Sequence, residues 1–137
     1  MKMEFVIKSN ISDKSLAFSD LVKSPNGAVY VSVELRGRQA NGRMTIYVHH
    51  DATGIVKMFQ KLAQLGKPWE GAETWVPVER DFSLAITCDR LGHVCFEVRM
   101  RPEQGDSEDS FVSARLVTDL SDMPSIARDA ETFFGAI

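Results

Sequence analysis

Between Phe82 and Arg101 the chain alternates apolar and polar residues on both sides of a short turn, and this stretch leaves few choices of fold. Phe82, Leu84, Ile86 and Cys88 alternate with Asp81, Ser83, Ala85 and Thr87. Val94, Phe96, Val98 and Met100 alternate with His93, Cys95, Glu97, Arg99 and Arg101. A period of two is that of a half-buried strand. The intervening Asp89-Arg90-Leu91-Gly92-His93 suits a type I turn, with Asp at its first position and Gly supplying the positive φ of a following bulge. Such a turn sets Cys88 opposite Val94, Ile86 opposite Phe96 and Leu84 opposite Val98, all on one face. The other face pairs Ser83 with Arg99 and Asp81 with Arg101. A slip of one residue would set apolar against polar side chains, so the register is strongly specified.

The rest of the chain reads in the same terms. Met3, Phe5 and Ile7 alternate, a polar turn follows at Ser9–Asp13, and Leu16 and Phe18 return as a second strand. Ser24-Pro25-Asn26-Gly27 is a turn signal. Val29, Val31, Val33 and Leu35 form a β-branched strand, answered across a polar loop by Met44, Ile46 and Val48. If Leu35 faces Met44, the outer face pairs Tyr30 with His49, Ser32 with Tyr47, Glu34 with Thr45 and Arg36 with Arg43. Asp51 can cap a helix from about Ala52 to Leu65, with Ile55, Met58, Phe59, Leu62 and Leu65 as its apolar stripe. Gly66 and Pro68 stop it. The Trp75 segment is a short strand, placed at an edge by Pro77. Pro102 to Asp109 is an acidic loop, and Phe111 to Thr118 a last strand whose faces are ambiguous. Asp122 or Ser121 caps a final helix with Pro124 in its first turn and Ile126, Ala130 and Phe133 as its stripe.

Each half thus runs through strands and ends on a helix, with no repeat visible residue by residue. Strands joined as hairpins, with helices to one side, predict a single α+β domain over residues 1–137. Its sheet is mainly antiparallel, bent or split in two, with about seven to eight strands and two helices. There is no βαβ alternation of the kind that builds doubly wound nucleotide folds. A chain of 137 residues with 44% hydrophobic content can bury a core without disulfides or metal. The two cysteines are expected to stay free, since Cys88 faces the core and Cys95 the opposite side. No apolar run is long enough to span a membrane, and the N-terminus lacks a signal peptide's apolar stretch, so a cytoplasmic protein is expected.

Charge is unevenly spread. The net charge is −3, which disfavours non-specific binding to nucleic acid. Residues 1–66 carry nine Lys and Arg against five Asp and Glu, whereas residues 67–137 carry seven against fourteen. Glu103, Asp106, Glu108 and Asp109 concentrate that acidity, either as a solvated loop or as a surface that selects a basic partner.

No constellation for catalysis stands out, and no catalytic residue, metal ligand or cofactor site is assigned. His49 and His50 are neighbours on a strand and point to opposite faces, so they do not readily share a metal. His93 and Cys95 are separated by ~6.5–7 Å along one strand, too far for a direct hydrogen bond. Glycine-rich phosphate loops and the common hydrolase and zinc motifs are absent. Glu34, within Tyr30-Val31-Ser32-Val33-Glu34-Leu35-Arg36, is the one carboxylate set in an apolar run. A ligand pocket or enzymatic site around Glu34, Tyr47 and His49 is one reading. A second is a partner-binding face carrying Tyr30, Glu34, Arg36, Tyr47 and His49, since Tyr and Arg are enriched at binding hot spots, and a third is a plain solvated sheet face or one covered by a helix.

Trp69-x-Gly71-x-x-x-Trp75, the acidic turn after it, the strand Phe82–Cys88, Gly92-His93-Val94 and a C-terminal helix ending in Phe133-Phe134 form an ordered pattern. It resembles a small bacterial family of single-domain proteins similar to the WapI-type immunity proteins of polymorphic toxin systems. The resemblance runs from Phe5 to Phe134, and Trp69, Gly71 and Trp75 enter it as fold determinants. It implies a non-catalytic protein that binds a cognate toxin domain, with no cofactor. A toxin acting on nucleic acid would be basic, and the acidic segment would complement it. A subunit that dimerises through its exposed sheet is the rival expectation.

Overall fold

The computed structural model describes residues 3–48, 52–77, 81–101 and 111–136. The chain runs β1 (Glu4–Lys8), β2 (Ser15–Lys23), β3 (Val29–Arg36), β4 (Gly42–Tyr47), α1 (Ala52–Leu65), β5 (Glu73–Trp75), β6 (Phe82–Cys88), β7 (His93–Met100), β8 (Val112–Asp119), a 3₁₀ turn at Leu120–Asp122, and α2 (Met123–Phe134). The strands form two four-stranded antiparallel sheets, ordered β1-β2-β3-β4 and β5-β6-β7-β8. Each half is therefore a four-strand meander closed by a helix. The expected α+β fold with a split sheet is what forms.

Alternation in the sequence explains the layers. Phe5, Ile7, Leu16, Phe18, Val31, Val33, Leu35 and Ile46 are buried on the inner face of the first sheet. Phe82, Leu84, Ile86, Val94, Phe96, Val98 and Met100 are buried on that of the second. Phe59 of α1 and Phe133 and Phe134 of α2 join them. Phe5 lies 5.7 Å from Phe59 and 6.4 Å from Phe134, and Phe59 lies 6.5 Å from Phe96, ring centre to ring centre. Phe18 of the first sheet meets Phe82 of the second edge-on at 6.4 Å. One aromatic cluster thus ties both sheets and both helices into a single core.

The sheets also meet at their edges. The β1–β2 turn hydrogen-bonds to β8: Asn10 N–H donates to the Val117 carbonyl at 2.7 Å, and Val117 N–H donates to Ser9 Oγ at 3.2 Å. Asn10 Nδ2 reaches the Asp122 carboxylate at 3.1 Å. That carboxylate also accepts from Asp119 N–H at 3.0 Å. Asp122 therefore caps the 3₁₀ turn rather than bonding forward into α2, where it was expected.

The β6–β7 hairpin has the expected register, with Cys88 opposite Val94, Ile86 opposite Phe96 and Ser83 opposite Arg99. Gly92 takes φ +84° in its turn, a conformation that side chains with a Cβ resist. Asp89 organises the turn: its Oδ1 accepts from the N–H groups of Leu91 and His93, each at 2.9 Å, and its Oδ2 lies 2.9 Å from His93 Nδ1. β5 is an edge strand, as expected, and Trp69 donates to the Ile86 carbonyl at 3.4 Å.

Two expectations are corrected. In the β3–β4 pair, Val33 faces Met44, Val31 faces Ile46, Tyr30 faces Tyr47 and Glu34 faces Arg43, two residues from the expected pairing. A two-residue shift keeps every side chain on its own face, so alternation cannot distinguish the two registers. The observed one sets Glu34 against Arg43, where the expected one opposed Arg36 to Arg43. Leu65 is exposed at the end of α1, whose buried stripe stops at Leu62. β2 runs on to Lys23 through an irregularity between Ser19 and Val22, where Asp20 takes φ +51°. As expected, Cys88 packs against the core, Cys95 lies on the outer face and both are free, with Cys95 the more buried of the two. Asp51, expected to cap α1, lies outside the described residues.

Candidate functional site

The outer face of the first sheet carries the candidate residues from β3 and β4. Tyr30 and Tyr47 sit opposite each other with ring centres 5.2 Å apart. Tyr30 is 40% exposed, so a large amphipathic ring stands at the surface on a rigid strand. Ser32 and Thr45 form the next row and Glu34 and Arg43 the one after. Arg36 then bridges two carboxylates, Glu34 through Nε at 2.7 Å and Glu4 through Nη2 at 2.7 Å. The hydrogen bond to Glu4, followed by that to Glu34, raises the Arg36 pKa further above its usual range. All three groups are substantially exposed, so the triad contributes little stability. It does orient three charged side chains in fixed directions. Arg43 makes a looser contact with Asp20, at 3.6 Å.

The structure separates the residues of the pocket reading. Glu34 and Tyr30 are four positions apart on β3, hence ~13 Å along the strand, and Tyr47 sits across from Tyr30. Glu34 and Tyr47 do not converge on one point. His49, Glu103, Asp106, Glu108 and Asp109 lie outside the described residues. His93 turns toward Asp89 and not toward Cys95. The Cys88 thiol pKa is raised, first by burial and then by the charge of Asp89, which leaves it a weaker nucleophile than an ordinary thiol. Among the described residues, no three His, Cys, Asp or Glu side chains gather in a way that could hold a metal ion, and no helix is long and apolar enough to cross a membrane.

Sequence reasoning missed the outer face of the second sheet. Two cross-strand rows define it, Ser83–Arg99–Ser113 and Ala85–Glu97–Arg115. Short side chains on β6 and β8 leave a surface hollow of about 660 Å³, lined also by Lys14 from the β1–β2 turn. The Arg99 guanidinium lies over the Phe111 ring, 3.9 Å from its centre. Arg115 Nε donates to Cys95 Sγ at 3.2 Å and lies 3.7 Å from Glu97. The Ser83–Arg99 pairing was legible in the hairpin. The contributions of β8 and Lys14 were not, because the faces of β8 were ambiguous and Lys14 arrives from a distant turn.

No curated protein matches the chain. The model of a family of unknown function, DUF6228, matches residues 7–136 and so nearly the whole chain, and the chain belongs to that family.

Proposed function

We propose that this protein is a non-catalytic protein-binding module, acting in the bacterial cytoplasm as an immunity protein that neutralises a cognate toxin domain. The observation that carries the binding role is the Tyr30–Tyr47 pair, held at 5.2 Å at one end of a sheet face whose other end carries the Glu4–Arg36–Glu34 triad. An exposed aromatic pair that shares a face with oriented polar side chains has the residue types enriched at protein interfaces. Two rigid strands present it, so little conformational entropy is lost on docking. The toxin-directed role is supported by the resemblance carried by Trp69, Gly71, Trp75 and the Gly92-His93-Val94 turn. The acidic residues Glu103, Asp106, Glu108 and Asp109 would speed encounter with a basic toxin.

The test is binding to the product of the neighbouring gene, expected to carry a toxin domain, measured by calorimetry, together with rescue of growth when the two are co-expressed. Replacing Tyr30 and Tyr47 together by Ala is expected to weaken binding by ~30-fold or more, as for a hot spot of about 2 kcal/mol, and to abolish rescue. Full rescue by the double variant would move the site off this face. If sedimentation shows self-association as the sole interaction, and the double variant is monomeric, the protein is a homo-oligomer subunit and the immunity reading fails.

A further inference from the structure

The outer face of β6, β7 and β8 lies on the other sheet from the tyrosine pair, and its chemistry is different. Its hollow is lined by three cationic side chains, Lys14, Arg99 and Arg115, against one carboxylate, Glu97. Glu97 lies 3.7 Å from Arg115, which offsets its charge. Among the described residues, neither Lys14 nor Arg99 has a carboxylate partner. This positive field stands out because the half of the chain that builds the second sheet is acidic in total.

Arg99 is also prepared for recognition. Stacking on Phe111 fixes the plane of its guanidinium while leaving the in-plane N–H groups free to donate. Its cross-strand neighbours, Ser83 and Ser113, are too short to screen it, and their hydroxyls add donors on either side. Arg115 is tethered through Cys95, so a second guanidinium is held two positions along β8 from Ser113.

We infer that this face is a second docking surface, and that it takes an extended acidic segment of a partner protein. The spacing favours a segment over a single anion. The cations are spread over separate rows and a separate turn, so they do not converge on one point. Side chains on one face of an extended peptide repeat every ~6.5–7 Å, which is also the spacing of successive rows on this sheet. Carboxylates at alternate positions of such a peptide reach Arg99 and Arg115, which stand in successive rows on adjacent strands, and Lys14 lines the same hollow. Charge-assisted bonds from guanidinium to carboxylate supply both affinity and register.

The experiment is an NMR titration of the full chain with three probes: a capped peptide carrying Glu at alternate positions, the same peptide with Gln, and inorganic phosphate. The Glu peptide is expected to shift the amides of Ser83, Arg99 and Ser113, with an affinity that falls steeply as salt is added. Arg99→Gln and Lys14→Gln, both surface changes, are each expected to weaken it by about tenfold, as for loss of one charge-assisted hydrogen bond. Replacing Tyr30 and Tyr47 by Ala is expected to leave it unchanged, so the result stands apart from the proposal for the tyrosine face. Equal shifts from the Gln peptide would overturn the inference, because charge would not be what is read. Equal shifts from phosphate would reduce the face to a single-anion site, and shifts located elsewhere, or none, would also overturn it.

Discussion

At the scale of single residues, Asp89 has the most connected role in the described turns. Hydrogen bonds from His93, first through its backbone and then through its side chain, hold the Asp89 carboxyl below the usual carboxylate range. A carboxyl with a lower pKa in the folded protein stabilises it above the unfolded value of ~3.9. That contribution is lost as pH falls through the folded value. Asp89→Asn is therefore expected to flatten the acid limb of the stability–pH curve below ~pH 4, and chemical denaturation at several pH values reads this directly. Phe96 tests the core. It is fully buried on the inner face of the second sheet, with its ring 6.5 Å from that of Phe59 of α1. Phe96→Ala is expected to cost ~3–5 kcal/mol through lost burial and the cavity left behind, measured as a shift of the urea midpoint.

At the scale of elements, the register between β3 and β4 is the informative case. Apolar alternation places Val31, Val33, Leu35, Met44 and Ile46 inward in either of two registers. The choice falls to pairs on the solvent face, with Tyr30 on Tyr47 and Glu34 opposite Arg43. Arg43→Glu would set two carboxylates directly across from each other and remove the contact with Asp20. It is expected to cost ~0.2–1 kcal/mol and to leave the fold intact, as read by thermal melts and an unchanged circular dichroism spectrum. The helices behave differently. The span of α1 was legible because Gly66 and Pro68 punctuate its end, and Gly66 takes φ +63° there.

At the scale of the whole molecule, two meanders that could each have exposed an apolar face share one aromatic cluster instead. The small polar join between the β1–β2 turn and β8 closes the arrangement at its edge. Ser9→Ala removes the acceptor for Val117 N–H, and a hydrogen bond of this kind contributes ~0.5–1.5 kcal/mol. The expected result is that small loss of stability with a clear loss of hydrogen-exchange protection at Val117. Protection unchanged from the parent would show that the Ser9 bond does not hold the join, which then rests on the Asn10 contacts and the core.

By itself the sequence determined which residues point inward on every strand of the first sheet and on β6 and β7, where the hairpin between β6 and β7 turns, and where α1 stops. These are local matters of period, turn chemistry and glycine conformation, and Phe82–Met100 carries them in full. It also named Tyr30, Glu34, Arg36 and Tyr47 as sharing one face, since parity along a strand suffices for that. The tertiary structure decided which of these meet: Tyr30 with Tyr47, and Arg36 with Glu4 from a strand two places away. It also decided that Cys95 would be buried beneath Arg115, and that Lys14 and Arg99 would line one hollow. Alternation encodes inside and outside for one strand at a time. The identity of a neighbour depends on register and on packing between distant segments, and a shift of two residues leaves every local signal unchanged.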